Sequence, residues 1–143
     1  GAIYQSLEFG GSALSQFSIA ARMSISNMAV EMGAKFGIFE GDKLLSKWLE
    51  WHPAPELDSI PKTDEFLKPD PDCEYLDTRS FNLSKIPPMV ARPYEPDNVC
   101  PVDELGSVEI DQAFLGSCTN GRLEDVRVAA RIVDGKQIAK GVG

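Results

Sequence analysis

Ser107-Val108-Glu109-Ile110-Asp111-Gln112-Ala113-Phe114-Leu115, followed by Gly116-Ser117-Cys118-Thr119-Asn120-Gly121 and then by Arg122 to Val133, is the stretch whose reading decides the fold. Its first part alternates and ends on an apolar pair, which predicts a strand running into a core. The small, polar hexapeptide stops that strand. A helix is predicted from about Arg122 to Val133, because Leu123, Val126, Ala130 and Val133 share one face, Glu124 and Asp125 occupy the first turn, and Gly135 supplies the exit. Lys136 to Val142 reads as the lead into a further strand, so the C-terminus is expected to be cut rather than finished.

The N-terminal part repeats this rhythm. Ala2 to Phe9 is an alternating, β-prone run closed by Gly10-Gly11. Ser18 is a plausible N-cap for a helix on which Ile19, Met23 and Val30 recur, with Gly33 as a left-handed stop. Lys35 to Phe39 predicts a second strand and Lys43 to Trp51 a second helix. Strand, helix, strand, helix predicts an α/β fold with a parallel sheet. All ten prolines lie between Pro53 and Pro101. Proline fixes φ and lacks a backbone donor, so this middle stretch is expected to be extended connection and edge strand. No internal repeat or low-complexity segment is visible.

Composition bounds the function. With 143 residues, 43% hydrophobic and 25% charged, the chain has the usage of a globular protein and can build a core, which excludes a disordered tail. Lys and Arg number 14 against 22 Asp and Glu, and the net charge of -8 has the wrong sign for a nucleic-acid partner. Eleven acids and four bases between Glu40 and Asp77 hold most of that excess, as a solvated acidic surface would. No apolar run reaches the roughly 18 to 20 residues that span a bilayer, and no signal peptide is recognisable, so a cytoplasmic protein without a membrane partner is expected.

Cys73, Cys100 and Cys118 are the only cysteines, an odd number without a CxxC pair. They make neither a disulfide framework nor a complete metal site. Cys118 stands apart because it lies between a predicted strand end and a helix N-terminus, where α/β proteins place ligands and the helix dipole favours a thiolate. Gly116, Ser117, Thr119, Asn120 and Gly121 would let a ligand approach the backbone, and Arg122 offers a fork suited to a carboxylate. The alternative is that Thr119 or Asn120 caps the helix and Cys118 fills space.

Glu8, beside Gly10-Gly11 at a strand end, is the second candidate; the alternative is a side chain that only faces solvent. His52 is expected to serve the C-terminus of a helix, and with one histidine and no nearby Ser or Cys pair no hydrolase triad is expected within this chain. Arg22, Arg79 and Arg92 could each meet an anion, and their spacing selects none. Trp48 and Trp51 are expected as core and boundary aromatics. The acidic neighbours of Cys73 argue against reactivity, and Cys100, between Val99 and Pro101, reads as a buried apolar residue.

Phe114-Leu115-Gly116-Ser117-Cys118-Thr119-Asn120-Gly121-Arg122-Leu123-Glu124-Asp125 resembles the first cluster-binding signature of the aconitase superfamily, in particular its isopropylmalate isomerase and homoaconitase branch. Leu7 to Gly11, Ala21 to Lys35, and Pro96 to Val99 with Pro101 to Asp103 are similar to other stretches of the family, in the same order. The resemblance covers essentially the whole chain. It implies an aconitase-like three-layer α/β/α fold, with residues 1–72 the end of one domain and 73–143 the start of the next, joined by the proline-rich connection.

The resemblance also implies a hydro-lyase that isomerises a hydroxy di- or tricarboxylic acid by removing and restoring water. The cofactor would be a [4Fe-4S] cluster on three cysteines, one iron left open as a Lewis acid. Cys118 would be the first cluster ligand, with Asn120 and Arg122 shaping its loop, and Glu8 would protonate or orient the departing water. The two further cysteine ligands, the substrate loops and the small, swivelling subunit with the catalytic base would lie outside this chain, which alone is expected to be inactive. A non-catalytic binding or assembly module without a cluster is the reading of another class.

Overall fold

A computed structural model describes residues 2–52, 55, 59–62 and 64–143. The chain divides into two compact units, Gly1–Thr78 and Arg79–Gly143. Pro53, where the proline-rich stretch begins, lies outside the described residues.

In the first unit, β1 (Ser6–Phe9) pairs in parallel with β2 (Phe36–Phe39), from Ser6 against Phe36 to Phe9 against Phe39. The rings of Phe9 and Phe39 stack at 4.9 Å. Helix α1 (Ile19–Met28) makes the crossover that a parallel pair requires. Ser18 caps it as the sequence predicts, its Oγ accepting from the Ala21 amide at 3.0 Å. The predicted first strand is shorter than expected. Residues 2–5 instead dock on the turn after α1, through Ala2 N to Met32 O at 3.1 Å and Tyr4 N to Gly33 O at 2.9 Å. Ala2, Ala29 and Ala34 form the small core there, with Leu7 packed against it.

The helix also stops early. It ends at Met28, so Val30 lies beyond it and is exposed, while Gly33 adopts its positive φ of 78° in the turn before β2. Strand and helix pack so closely that a Cβ on Gly37 would stand 3.0 Å from both Ala29 Cβ and Ser26 Cα.

Helix α2 (Lys43–Trp51) begins on Asp42, whose Oδ1 accepts from the Leu45 amide at 3.0 Å. The other oxygen of Asp42 accepts from Arg22 of α1 at 2.6 Å. The same Arg22 nitrogen donates to Leu14 O at 2.9 Å, in the 3-10 turn Ser12–Gln16 that follows β1. Arg22 is thus committed inside the fold, its residue only 4% exposed. His52 ends α2 as expected, its Nδ1 3.0 Å from Trp48 O and its ring stacked on Trp48. Trp51 departs from its expected place, being 78% exposed.

The Arg22 guanidinium, through its hydrogen bond, holds the Asp42 carboxyl below its ordinary pKa against the opposing effect of burial. A depressed folded-state pKa gives stability that is present above about pH 4, the unfolded value, and lost as pH falls through the folded one. Asp42→Asn keeps a capping oxygen but discharges the pair. Asp42 is a third exposed, so the expected loss at pH 7 is about 2 kcal/mol, below that of a fully buried pair. Urea unfolding at pH 7 and pH 3 checks this, with the gap between wild type and variant narrowing in acid.

In the second unit, β3 (Met89–Ala91) and β4 (Val99–Pro101) form an antiparallel pair with Val90 opposite Cys100. Cys100 is buried there, as expected. Helix α3 (Leu123–Val133) has acidic residues in its first turn and Arg131 in its last, in accord with the helix dipole.

The strand predicted over Ser107–Leu115 does not form. A strand is defined by a hydrogen-bonded neighbour, and Val108, Ile110, Phe114 and Leu115 are all exposed. Only residues 111–113, near its middle, are paired. Gly143 N donates to Asp111 O and Ala113 N donates to Gly143 O, both at 2.9 Å, which is the parallel ladder pattern around Gln112.

Candidate functional site

Glu8 belongs to the first unit and Cys118, Asn120 and Arg122 to the second. Along β1, side chains alternate, with Leu7 and Phe9 half-buried and Ser6 and Glu8 exposed. Glu8 therefore extends from the face opposite the alanine core, near the C-terminal end of its strand. Its carboxylate is exposed and carries one side-chain hydrogen bond. Tyr75, 67 positions later, donates its hydroxyl to Glu8 Oε2 at 2.7 Å. That bond, and then the Cys73 thiol, raise the phenol well above the usual tyrosine pKa. Nothing in the sequence marked Tyr75, which sits among prolines and acids without periodicity.

The Cys118 loop is a closed turn built by its neighbours. Gly116 has a φ of 109°, a conformation that favours glycine. The Ser117 amide donates across the turn to the Asn120 carbonyl. A Cβ on Gly121 would come within 3.2 Å of Gly116 Cα, so the two glycines set how tightly the loop can close. The Thr119 amide donates to Ser117 Oγ at 3.2 Å, and the Gly121 amide to Asn120 Oδ1 at 2.9 Å. Cys118 sits exposed at the tip of this turn.

Neither Thr119 nor Asn120 caps the helix. Arg122 is the N-cap residue, without a side-chain cap, and its carbonyl accepts from the Asp125 and Val126 amides at 3.0 and 3.1 Å. The Arg122 Nε is buried and has no partner among the described residues. The turn that carries Cys118 is thus closed in part by Asn120 and leads directly into Arg122, the first residue of the helix boundary. Arg22, one of three arginines that could have met an anion, is occupied by Asp42 instead.

Among the described residues no three His, Cys, Asp or Glu side chains gather into a group that could hold a metal ion. Cys100 is buried in β4, and Cys73 lies beside Tyr75 in the other unit. An exposed thiol on a glycine-closed turn suits one ligand position of an iron–sulfur cluster, whose irons take cysteine thiolates. The described residues alone do not supply the rest of such a donor set. No described helix is long and apolar enough to cross a membrane.

The aconitase family (aconitate hydratase) matches this chain over residues 1–108 and 103–143. The 3-isopropylmalate dehydratase large subunit of Heliobacterium modesticaldum is 43% identical over 142 residues, 99% of this chain and 32% of the relative. That of Acetivibrio thermocellus is 40% identical, again over 99% of this chain and 32% of the relative. A probable 3-isopropylmalate dehydratase large subunit of Methanosarcina mazei is 42% identical over 98% of this chain and 32% of its own length. The chain spans about a third of the length of the curated relatives it matches.

Proposed function

Because the chain belongs to the aconitase family, we propose that it is part of the large subunit of an iron–sulfur hydro-lyase that converts 2-isopropylmalate to 3-isopropylmalate, a step of leucine biosynthesis, by dehydration and rehydration. The observation that carries the reading is identity of 40–43% to 3-isopropylmalate dehydratase large subunits along nearly the whole chain. The α/β elements would belong to a three-layer α/β/α fold, residues 1–72 closing one domain and 73–143 opening the next across the proline-rich connection. A small, swivelling subunit would complete the enzyme in the cytoplasm.

In this reading Cys118 is one of three cysteine ligands of a [4Fe-4S] cluster, the other two lying outside this chain. The cluster, when bound, supplies an open iron as Lewis acid for the substrate hydroxyl. Asn120 holds the Cys118 turn through its carbonyl and side-chain oxygens. Arg122, whose buried Nε has no partner among the described residues, would help to shape the same loop once the cluster is bound. Glu8 gives its proton to the departing hydroxyl, which leaves as water, and recovers a proton when water returns to the neighbouring carbon.

The test is direct. The full-length protein, purified anaerobically with its small subunit, is expected to bind iron and to convert 2-isopropylmalate to 3-isopropylmalate. Turnover of homocitrate-type or citrate-type substrates in its place would move it to the homoaconitase or aconitase branch. A full-length protein that binds no iron and dehydrates none of them would support the binding or assembly module.

A further inference from the structure

The Tyr75 hydroxyl reaches Glu8 from a distant part of the chain and binds one oxygen of its carboxylate at 2.7 Å. A glutamate on an exposed strand face has three side-chain torsions to fix, and leaving them free scatters the reacting oxygen over several positions. A phenol hydrogen bond to Oε2 fixes the carboxyl and leaves Oε1 for proton transfer.

The bond also differs between the two charge states of Glu8. Hydrogen bonds to an ionised acceptor are the stronger ones. The phenol therefore binds Glu8 more tightly after the proton has gone to the departing hydroxyl than before, and an interaction that strengthens along the reaction accelerates it. Cys73 is the second group facing the phenol, and it raises the Tyr75 pKa in the same direction as Glu8.

We propose that Tyr75 is a positioning residue, whose hydroxyl orients the Glu8 carboxyl through Oε2 and stabilises the carboxylate formed when Oε1 gives its proton to the departing hydroxyl. The inference rests on the role assigned to Glu8 above. The small subunit's base takes the proton from the neighbouring carbon, whose C–H electrons form the double bond as the substrate C–O bond breaks; the hydroxyl takes the Glu8 proton and leaves as water, and Tyr75 keeps its own proton throughout.

Tyr75→Phe in the cluster-loaded full-length enzyme with its small subunit keeps the ring and removes the hydroxyl. The expected result is a kcat lower by roughly 10-fold, as for loss of a hydrogen bond to a charged group, with KM and iron content near wild type. On a Glu8→Gln background, Tyr75→Phe is expected to add no further loss. A second reading does not depend on turnover. In alkaline absorbance titration, the Tyr75 phenolate, found by difference from Tyr75→Phe, is expected above the ordinary value of about 10 and to fall back toward it in Glu8→Gln.

A slow Glu8→Gln beside an unimpaired Tyr75→Phe would overturn the role of Tyr75 alone. Additive losses in the double variant would overturn it too, since Tyr75 would then act elsewhere. A fully active Glu8→Gln would remove the role of Glu8 and this inference with it.

Discussion

Cys118→Ser in the full-length protein is expected to abolish retention of the cluster, with loss of its visible absorbance and bound iron, while Cys73→Ser and Cys100→Ala keep iron content near wild type. The three thiols differ in setting rather than in chemistry. Cys118 is exposed at the tip of a turn shaped by two close-packed glycines and the Ser117 to Asn120 bond. Cys100 is enclosed in β4, where a metal would have to displace core packing. Cys73 is exposed beside Tyr75 in the first unit and lies outside the glycine-closed turn. Iron-to-protein ratio after anaerobic purification separates them, and equal losses at all three positions would refute the assignment of Cys118.

Glu8→Gln is expected to leave the cluster in place and lower kcat by about 10²- to 10⁴-fold, the range of a lost acid–base group. The amide is nearly isosteric and can still accept from Tyr75 through its carbonyl oxygen, so the side chain keeps its place. What it loses is the exchangeable carboxyl proton. Steady-state kinetics beside an iron determination checks both halves, and turnover at the wild-type rate would return Glu8 to a surface role.

The sequence made the regular elements legible where local signals agreed. Ser18 is a capping residue at the start of a helical run, and its cap forms. The stretch from Ser107 to Leu115 alternates well enough to predict a strand, but a strand requires a neighbour, and alternation says nothing of whether one is present. Only residues 111–113 find one, at Gly143. Val30 fits the helical period of α1, yet the helix ends at Met28, and the turn beyond it, including the carbonyls of Met32 and Gly33, is bonded by residues 2–5.

The site was legible in part, for a related reason. Cys118, Asn120 and Arg122 sit in one short motif, so sequence proximity stands in for spatial proximity. Tyr75 and Glu8 meet across 67 positions, and no local pattern encodes such a meeting. Arg22 looked like an anion-binding candidate because charge is visible in a sequence and burial is not. Its partner Asp42 was hidden inside the acidic stretch that reads as solvated surface.

The double engagement of Asp42 has a dynamic consequence. One carboxylate caps α2 and neutralises Arg22 of α1, and Arg22 in turn holds the carbonyl of Leu14 just beyond the strand that bears Glu8. Fraying of the first turn of α2 would strand a buried cation, so that turn cannot open alone. The two helices and the turn after β1 should exchange their amide hydrogens as one cooperative block. The strand end carrying Glu8 is then not a fraying edge, and its geometry persists for as long as that block remains closed.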